Sequence, residues 1–303
     1  MIMNRELVNR YEKIYGKKQT KSLIEISKKI INQKYIRINK SKISKEEVIK
    51  FLKKNRVKFS ETFLEDCIKI DKTFFNLSSS ILNLNGSIYL QDIASQIPVN
   101  CINFNEFQNK KIKVLDMAAA PGSKTTQIVD RLEYEKIDYE LIAIEPEKKR
   151  LQKLMNNIQR QDCKNIKVMN IKGQEINLNN KFDIILLDAP CSGNIAGDRN
   201  WLSKRDIKGI KDNSKIQKEL LTKANEILSE KGILIYSTCS LEKEENEDNV
   251  QWAKDNLDLI DLSIALSIPF NSRALERNCK AIRLFPAESK TQGFFVSILK
   301  KKN

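Results

Sequence analysis

Ile112-Lys113-Val114-Leu115-Asp116-Met117-Ala118-Ala119-Ala120-Pro121-Gly122-Ser123-Lys124-Thr125-Thr126 is the stretch on which the fold of this chain turns. Ile112 to Asp116 is a short apolar run ended by an acid, suited to a buried parallel strand, and Lys124 to Leu132 has helical character. Between them sit small residues and one glycine. A strand-to-helix turn of that composition lets a ligand lie against the backbone near the helix N-terminus, although tight packing alone explains it too. It is not a phosphate-cradling P-loop: Ser123 separates Gly122 from Lys124, and the glycine five residues before the Gly-Lys pair is missing.

Outward from this turn the pattern repeats. Leu141–Glu145, Ile166–Asn170, Phe182–Asp188 and Ile233–Ser237 are further short apolar runs, and helical stretches cover Glu147–Arg160 and Ser214–Ser229. Such alternation predicts an α/β fold, a Rossmann-like doubly wound sheet, in which ligands sit beyond the carboxyl ends of the strands. The residues at those ends are therefore the candidates. Glu145 can accept from both hydroxyls of a ribose, or simply open a helix at Pro146. The fourth run ends in Asp188-Ala189-Pro190-Cys191-Ser192-Gly193 and the fifth in Tyr236-Ser237-Thr238-Cys239-Ser240, before an acidic segment with Glu244, Glu245 and Glu247. Free cysteines are usually packing. Two at adjacent strand ends point instead to chemistry.

The N-terminal region reads differently. Leu7, Tyr11, Ile14, Leu23, Ile26 and Ile30 give residues 5–31 helical spacing, Tyr35 to Asn39 alternates as a strand, and Ser44-Lys45-Glu46-Glu47 opens a helix through Lys54 with a capping box. This predicts a small α+β domain over residues 1–85, ending at Asn85-Gly86, and a catalytic domain over 86–303. Residues 1–60 hold 18 Lys/Arg against 5 Asp/Glu, whereas the other 243 carry 36 against 34. A lysine-rich composition by itself spreads along a chain. This concentration marks a polyanion-gripping, nucleic-acid-binding segment.

Composition sets the remaining bounds. The 303 residues are 41% hydrophobic and 31% charged, with no apolar run of the ~18–20 residues that cross a bilayer and no leader-like start. No membrane partner is expected. Six scattered cysteines suggest a reducing, cytoplasmic setting. There is no histidine, which excludes Ser-His-Asp and Cys-His catalysis and imidazole-built metal sites, so no metal is expected.

Across residues 36–300 the chain resembles the Sun-domain (Nol/Nop/Sun) family of RNA 5-methylcytosine methyltransferases. The resemblance rests on Asp116–Lys124, Asp188–Asn194, Tyr236–Glu247, Arg283-Leu284-Phe285-Pro286 with Gly293-Phe294-Phe295, and Leu90-Gln91-Asp92-Ile93-Ala94-Ser95. It implies an S-adenosylmethionine methyltransferase sheet and a covalent mechanism. Cys239 is then the nucleophile toward cytosine carbon 6, Cys191 assists elimination, and Asp188 holds the cytosine edge. Lys124 orients Asp188 or favours thiolate. Ala118, Ala119, Ala120, Pro121, Gly122, Ser123, Lys124, Glu145 and Arg150, together with Asp188, form the cofactor set. The implied partner is RNA, tRNA ahead of rRNA, with protein partners unassigned. Two departures stand out: Lys172 occupies the position where relatives carry an adenine-facing aspartate, and Ala287 stands where relatives often have histidine after the proline. Two other classes stay open, a catalytically idle RNA-binding or ribosome-assembly factor and an amino-methylating enzyme. The latter is disfavoured because Asp188-Ala189-Pro190-Cys191 lacks the second proline and aromatic ring that clamp a target amine.

Overall fold

The computed structural model describes residues 4–178, 180–270, 272, 274–276 and 278–302. In chain order the elements begin α1 (Arg5–Tyr15), α2 (Lys17–Ile30), β1 (Lys34–Ile38), α3 (Lys45–Lys54), β2 (Lys58–Glu61), β3 (Cys67–Lys72), α4 (Ile81–Leu84), β4 (Ile88–Leu90) and α5 (Ile93–Asn100). They continue β5 (Ile112–Asp116), α6 (Ser123–Tyr134), β6 (Tyr139–Ile144), α7 (Lys148–Arg160), β7 (Ile166–Met169) and β8 (Phe182–Asp188). The last are α8 (Trp201–Lys204), α9 (Ile207–Ile227), β9 (Leu228–Thr238), α10 (Glu247–Asn256), β10 (Leu259–Leu262), β11 (Ile282–Leu284), α11 (Pro286–Ser289) and β12 (Phe294–Lys301). Among the described residues no helix is long and apolar enough to cross a membrane.

The larger sheet has the order β10-β12-β9-β8-β5-β6-β7, with β11 beside β12. β5 pairs in parallel with β6 and β8, and β6 with β7, whereas β12 runs antiparallel to β9, β10 and β11. This is the α/β fold that the alternating runs predict, extended by antiparallel strands at one edge. The smaller sheet is antiparallel, β2-β3-β1-β4.

Two compact units are distinguished: Met1–Asn32 with Leu187–Glu226 and Leu234–Asn303, and Gln33–Leu186 with Ile227–Ile233. In the second, Ile36, Ile38 and Ile68 from the small sheet bury against Val48 and Leu52 of α3. The capping box of α3 forms as its sequence predicts, with Ser44 and Glu47 each bonding the other's backbone N–H. In the first unit, Leu7 and Tyr11 of α1 and Leu23 of α2 share a core with Ile195, Trp201, Leu241 and Phe285. The helical stretch expected over 5–31 is two helices. Gly16, with φ at 83°, ends α1 and opens α2 in a conformation that side chains resist. The helix expected from Ser214 starts earlier, at Ile207, and the strand expected from Ile233 starts at Leu228.

Candidate active site

Within the unit holding residues 187–226 and 234–303, the two strand-end cysteines meet. Cys191 Sγ lies 3.2 Å from Cys239 Sγ. The hydrogen bond to Cys239 and burial push the Cys191 thiol well above its usual range. Ser237, the penultimate residue of β9, donates to Asp188 Oδ1 at 2.8 Å, and the Ala189 N–H bonds the Ser237 carbonyl.

The loop carrying Cys191 is fastened at nearly every residue. Gln217 of α9 donates to the Pro190 carbonyl (2.8 Å), and Trp201 Nε1 and Arg205 Nε both donate to the Ser192 carbonyl (2.7 and 2.9 Å). Buried Glu245 accepts from the Ser192 N–H (3.1 Å) and hydroxyl (3.2 Å), and Ser192 Oγ is 3.2 Å from Ser240 Oγ. Ser192 follows Cys191 and Ser240 follows Cys239, so one carboxylate braces both cysteine loops. Burial raises the Glu245 carboxyl while bonds from Ser240 and Ser192 hold it down. Asn194 adds a further tie, donating to the carbonyls of Cys239 (2.5 Å) and Gly293 (3.1 Å). A Cβ at Gly293 would lie 2.5 Å from the tip of the Leu241 side chain, which would have to move.

Within the unit holding residues 33–186, the turn after β5 is pinned residue by residue. Ala119 N–H bonds the Ile144 carbonyl, Arg150 Nη2 donates to the Ala120 carbonyl (2.8 Å), and Asn157 donates to the Pro121 carbonyl (2.8 Å). Asp116 accepts from Thr125 Oγ1 at 2.7 Å. Gly122 sits at φ 104° and opens α6 without a capping side chain, as a ligand-accepting helix start requires. Its missing Cβ would fall 3.1 Å from Leu154 of α7, so glycine serves the turn and the packing of α7 rather than clearing a ligand's path. Ser123 and buried Lys124 form the first turn of α6. Glu145, immediately after β6, is buried. One of its oxygens accepts from the Glu147 N–H, and the other has no hydrogen-bond partner, with Arg150 Nη1 at 3.5 Å. Lys172 is exposed and pairs with Glu175 at 3.7 Å.

Two residues in this unit escape a linear reading. Arg37 alternates with Ile36 and Ile38, which predicts a solvent-facing side chain, yet it is 1% exposed. Its guanidinium donates to Gln91 Oε1 (2.7 Å), the Ser123 carbonyl (2.6 Å) and Thr126 Oγ1 (3.0 Å), tying β1 to the first turn of α6. Asp92 feels the charge of Lys124. Burial lifts its carboxyl to about 6, against the pull of the Ala94 N–H and of that lysine. The one sequence signal for either is the Leu90–Ser95 segment.

Residues 104–300 match the family model described as 16S rRNA methyltransferase RsmB/F. The chain is 35% identical over 218 residues to the tRNA (cytosine(72)-C(5))-methyltransferase of Pyrococcus horikoshii, covering 71% of this chain and 53% of that protein. It is 34% identical over 233 residues to the ribosomal RNA small subunit methyltransferase F of Psychromonas ingrahamii, covering 74% of this chain and 47% of that one. The chain thus spans about half the length of these curated relatives. The crystal structure of NSun6 from Pyrococcus horikoshii with SFG superposes with a TM-score of 0.86 at 25% identity, covering 99% of this chain and 98% of that one. This chain belongs to the RsmB/F family of RNA methyltransferases.

Proposed function

We propose that this chain transfers a methyl group from S-adenosylmethionine to carbon 5 of cytosine in RNA, tRNA ahead of rRNA, with Cys239 as the nucleophile. The observation that carries the proposal is the thiol pair itself, Cys191 Sγ and Cys239 Sγ 3.2 Å apart at two adjacent strand ends. Carbon 5 of cytosine is a poor nucleophile. When the Cys239 thiolate bonds carbon 6, the ring's π electrons shift toward carbon 5 and make it enamine-like. A Cys191 S–H directed at Cys239 stabilises the thiolate before attack. After methyl transfer a solvent base takes the carbon 5 proton, the freed electron pair re-forms the 5,6 double bond, and Cys239 leaves as a thiolate that the same Cys191 S–H stabilises. Asp188, fixed by Ser237, is the acceptor for the cytosine edge.

The residues present fit the cofactor. Buried Glu145 keeps one oxygen without a hydrogen-bond partner, which suits a ribose hydroxyl, and α6 opens uncapped after the small-residue turn. When bound, S-adenosylmethionine supplies a methyl group made electrophilic by its sulfonium. Arg150 acts at one remove, through Ala120 and Glu145. The SFG of the NSun6 structure, an analogue of S-adenosylmethionine, supports this choice. Residues 1–85 are proposed as the RNA-gripping part.

The test is transfer of labelled methyl groups to separated tRNA and rRNA, followed by mapping of the modified base. Label on carbon 5 of cytosine in tRNA is expected. Label on an exocyclic amine, or RNA binding without any transfer, refutes the proposal.

A further inference from the structure

The small sheet sorts its charges by end. At the end where β1 finishes and β2 finishes, two lysines are ion-paired, Lys40 with Glu65 and Asp66 and Lys45 with Glu61, while Lys42 donates to the Asn85 carbonyl. The opposite end is assembled by the antiparallel register, in which Lys34 opens β1 opposite Ile70, and Lys58 opens β2 opposite Lys72 at the end of β3. α3 runs back to this end and finishes in Lys53-Lys54, followed by Arg56. Lys34, Lys53, Lys54, Arg56, Lys58 and Lys72 are all exposed, and among the described residues none makes an ion pair. Asp71, the acid nearest in sequence, is turned to Ser60.

At the same end stands an aromatic ring with no packing role. Phe75 is tucked against Phe51, with centroids 6.4 Å apart, whereas its neighbour Phe74 is 82% exposed. Lys72 Nζ lies 4.9 Å from the Phe74 centroid, covering one face of the ring and leaving the other to solvent. An open aromatic face among unpaired cations is the arrangement that holds single-stranded nucleic acid, with bases stacked on the ring and phosphates on the lysines.

We infer that this end of the small sheet is a seat for single-stranded RNA, with Phe74 stacking an unpaired base and Lys58, Lys72 and their neighbours holding the flanking phosphates. The inference rests on the RNA-modifying function proposed above and names, within residues 1–85, the surface that meets the RNA.

The full chain is titrated by fluorescence anisotropy against a short labelled single-stranded RNA and a blunt duplex. Phe74→Ala is expected to weaken single-strand binding on the order of 10-fold, with little change for the duplex. Phe74→Trp should restore it. Replacing Lys58 and Lys72 together by glutamine should flatten the salt dependence of single-strand binding by roughly 1.4 units of slope. Three outcomes overturn the inference: Phe74→Ala binding like wild type, Phe74→Leu doing so (an apolar docking contact rather than stacking), or an equal loss on the duplex. If methyl transfer fails on every RNA while the Phe74 pattern holds, the proposed reaction falls and this seat stands. If wild type methylates RNA and Phe74→Ala binds normally, only the seat falls.

Discussion

Replacing Cys191 with alanine separates a working thiol pair from two packed cysteines. The substitution removes the sulfur 3.2 Å from Cys239 and the bond that sulfur accepts from the Gly193 N–H, but leaves the ties between Gln217, Glu245, Trp201 and Arg205 and the backbone at Pro190 and Ser192. The loop should therefore stay in place. A hydrogen bond to an ionised partner is worth about 1.5–3 kcal/mol, which slows attack by Cys239 about 10- to 150-fold if the bond strengthens fully as the thiolate forms. Breakdown of the adduct should slow further, because the group beside the departing sulfur is gone. The expected result is accumulation of a protein–RNA species that carries the methyl group and survives denaturing electrophoresis. Cys239→Ala should neither methylate nor trap RNA, and the double variant should resemble it. Single-turnover incubation with labelled cofactor and RNA, sampled over time on a denaturing gel, makes the measurement. Trapping by Cys239→Ala alone reverses the two roles. Full methylation without Cys239, or loss of fold in both single variants with no adduct in either, refutes the mechanism.

Other consequences are as direct. Glu145→Ala should weaken S-adenosylmethionine binding by about 1–3 kcal/mol in calorimetry, because ribose hydroxyls lose their buried acceptor; unchanged affinity moves the ribose elsewhere. Gly122→Val should lower the melting temperature even without cofactor, since it meets both a left-handed backbone and Leu154 at 3.1 Å, and a normal apo melting temperature contradicts that packing. Buried Asp130 accepts from the Ser41 N–H, and its carboxyl is lifted to about 7, chiefly by burial. The folded state therefore holds this proton more tightly than the unfolded one, and its stabilising effect is lost as pH rises from about 4 to about 7. Asp130→Asn should accordingly stabilise the protein at pH 8, by up to about 4 kcal/mol at the full shift, and change little at pH 4. Tyr11→Ala should cost about 3–5 kcal/mol in chemical denaturation, because the ring stacks on Trp201 at 5.7 Å in a shared core. A small loss there shows that α1 is dispensable to this core.

By itself the sequence determined the elements whose cause is local. Short apolar runs bounded by small or acidic residues were enough to place β5, β6, β7 and β8 and to mark Glu145, Asp188, Cys191 and Cys239 at strand ends. Period and punctuation lie along the chain, and so does the Ser44–Glu47 capping box. Contacts distant in sequence decided the rest. Arg37 reads as the polar face of a strand, yet that face is covered by α6, and burial becomes tolerable because three acceptors meet the guanidinium there. Leu7 and Tyr11 read as one face of a basic appendage, but Trp201 and Leu241 lie against them some two hundred residues away, so part of the charged segment is also core. The distance between the two sulfurs could not be read either. It follows from Glu245 bracing Ser192 beside Ser240 and from Asn194 reaching the Cys239 carbonyl, bonds that join residues 45 to 53 positions apart and exist only once the chain has folded back on itself.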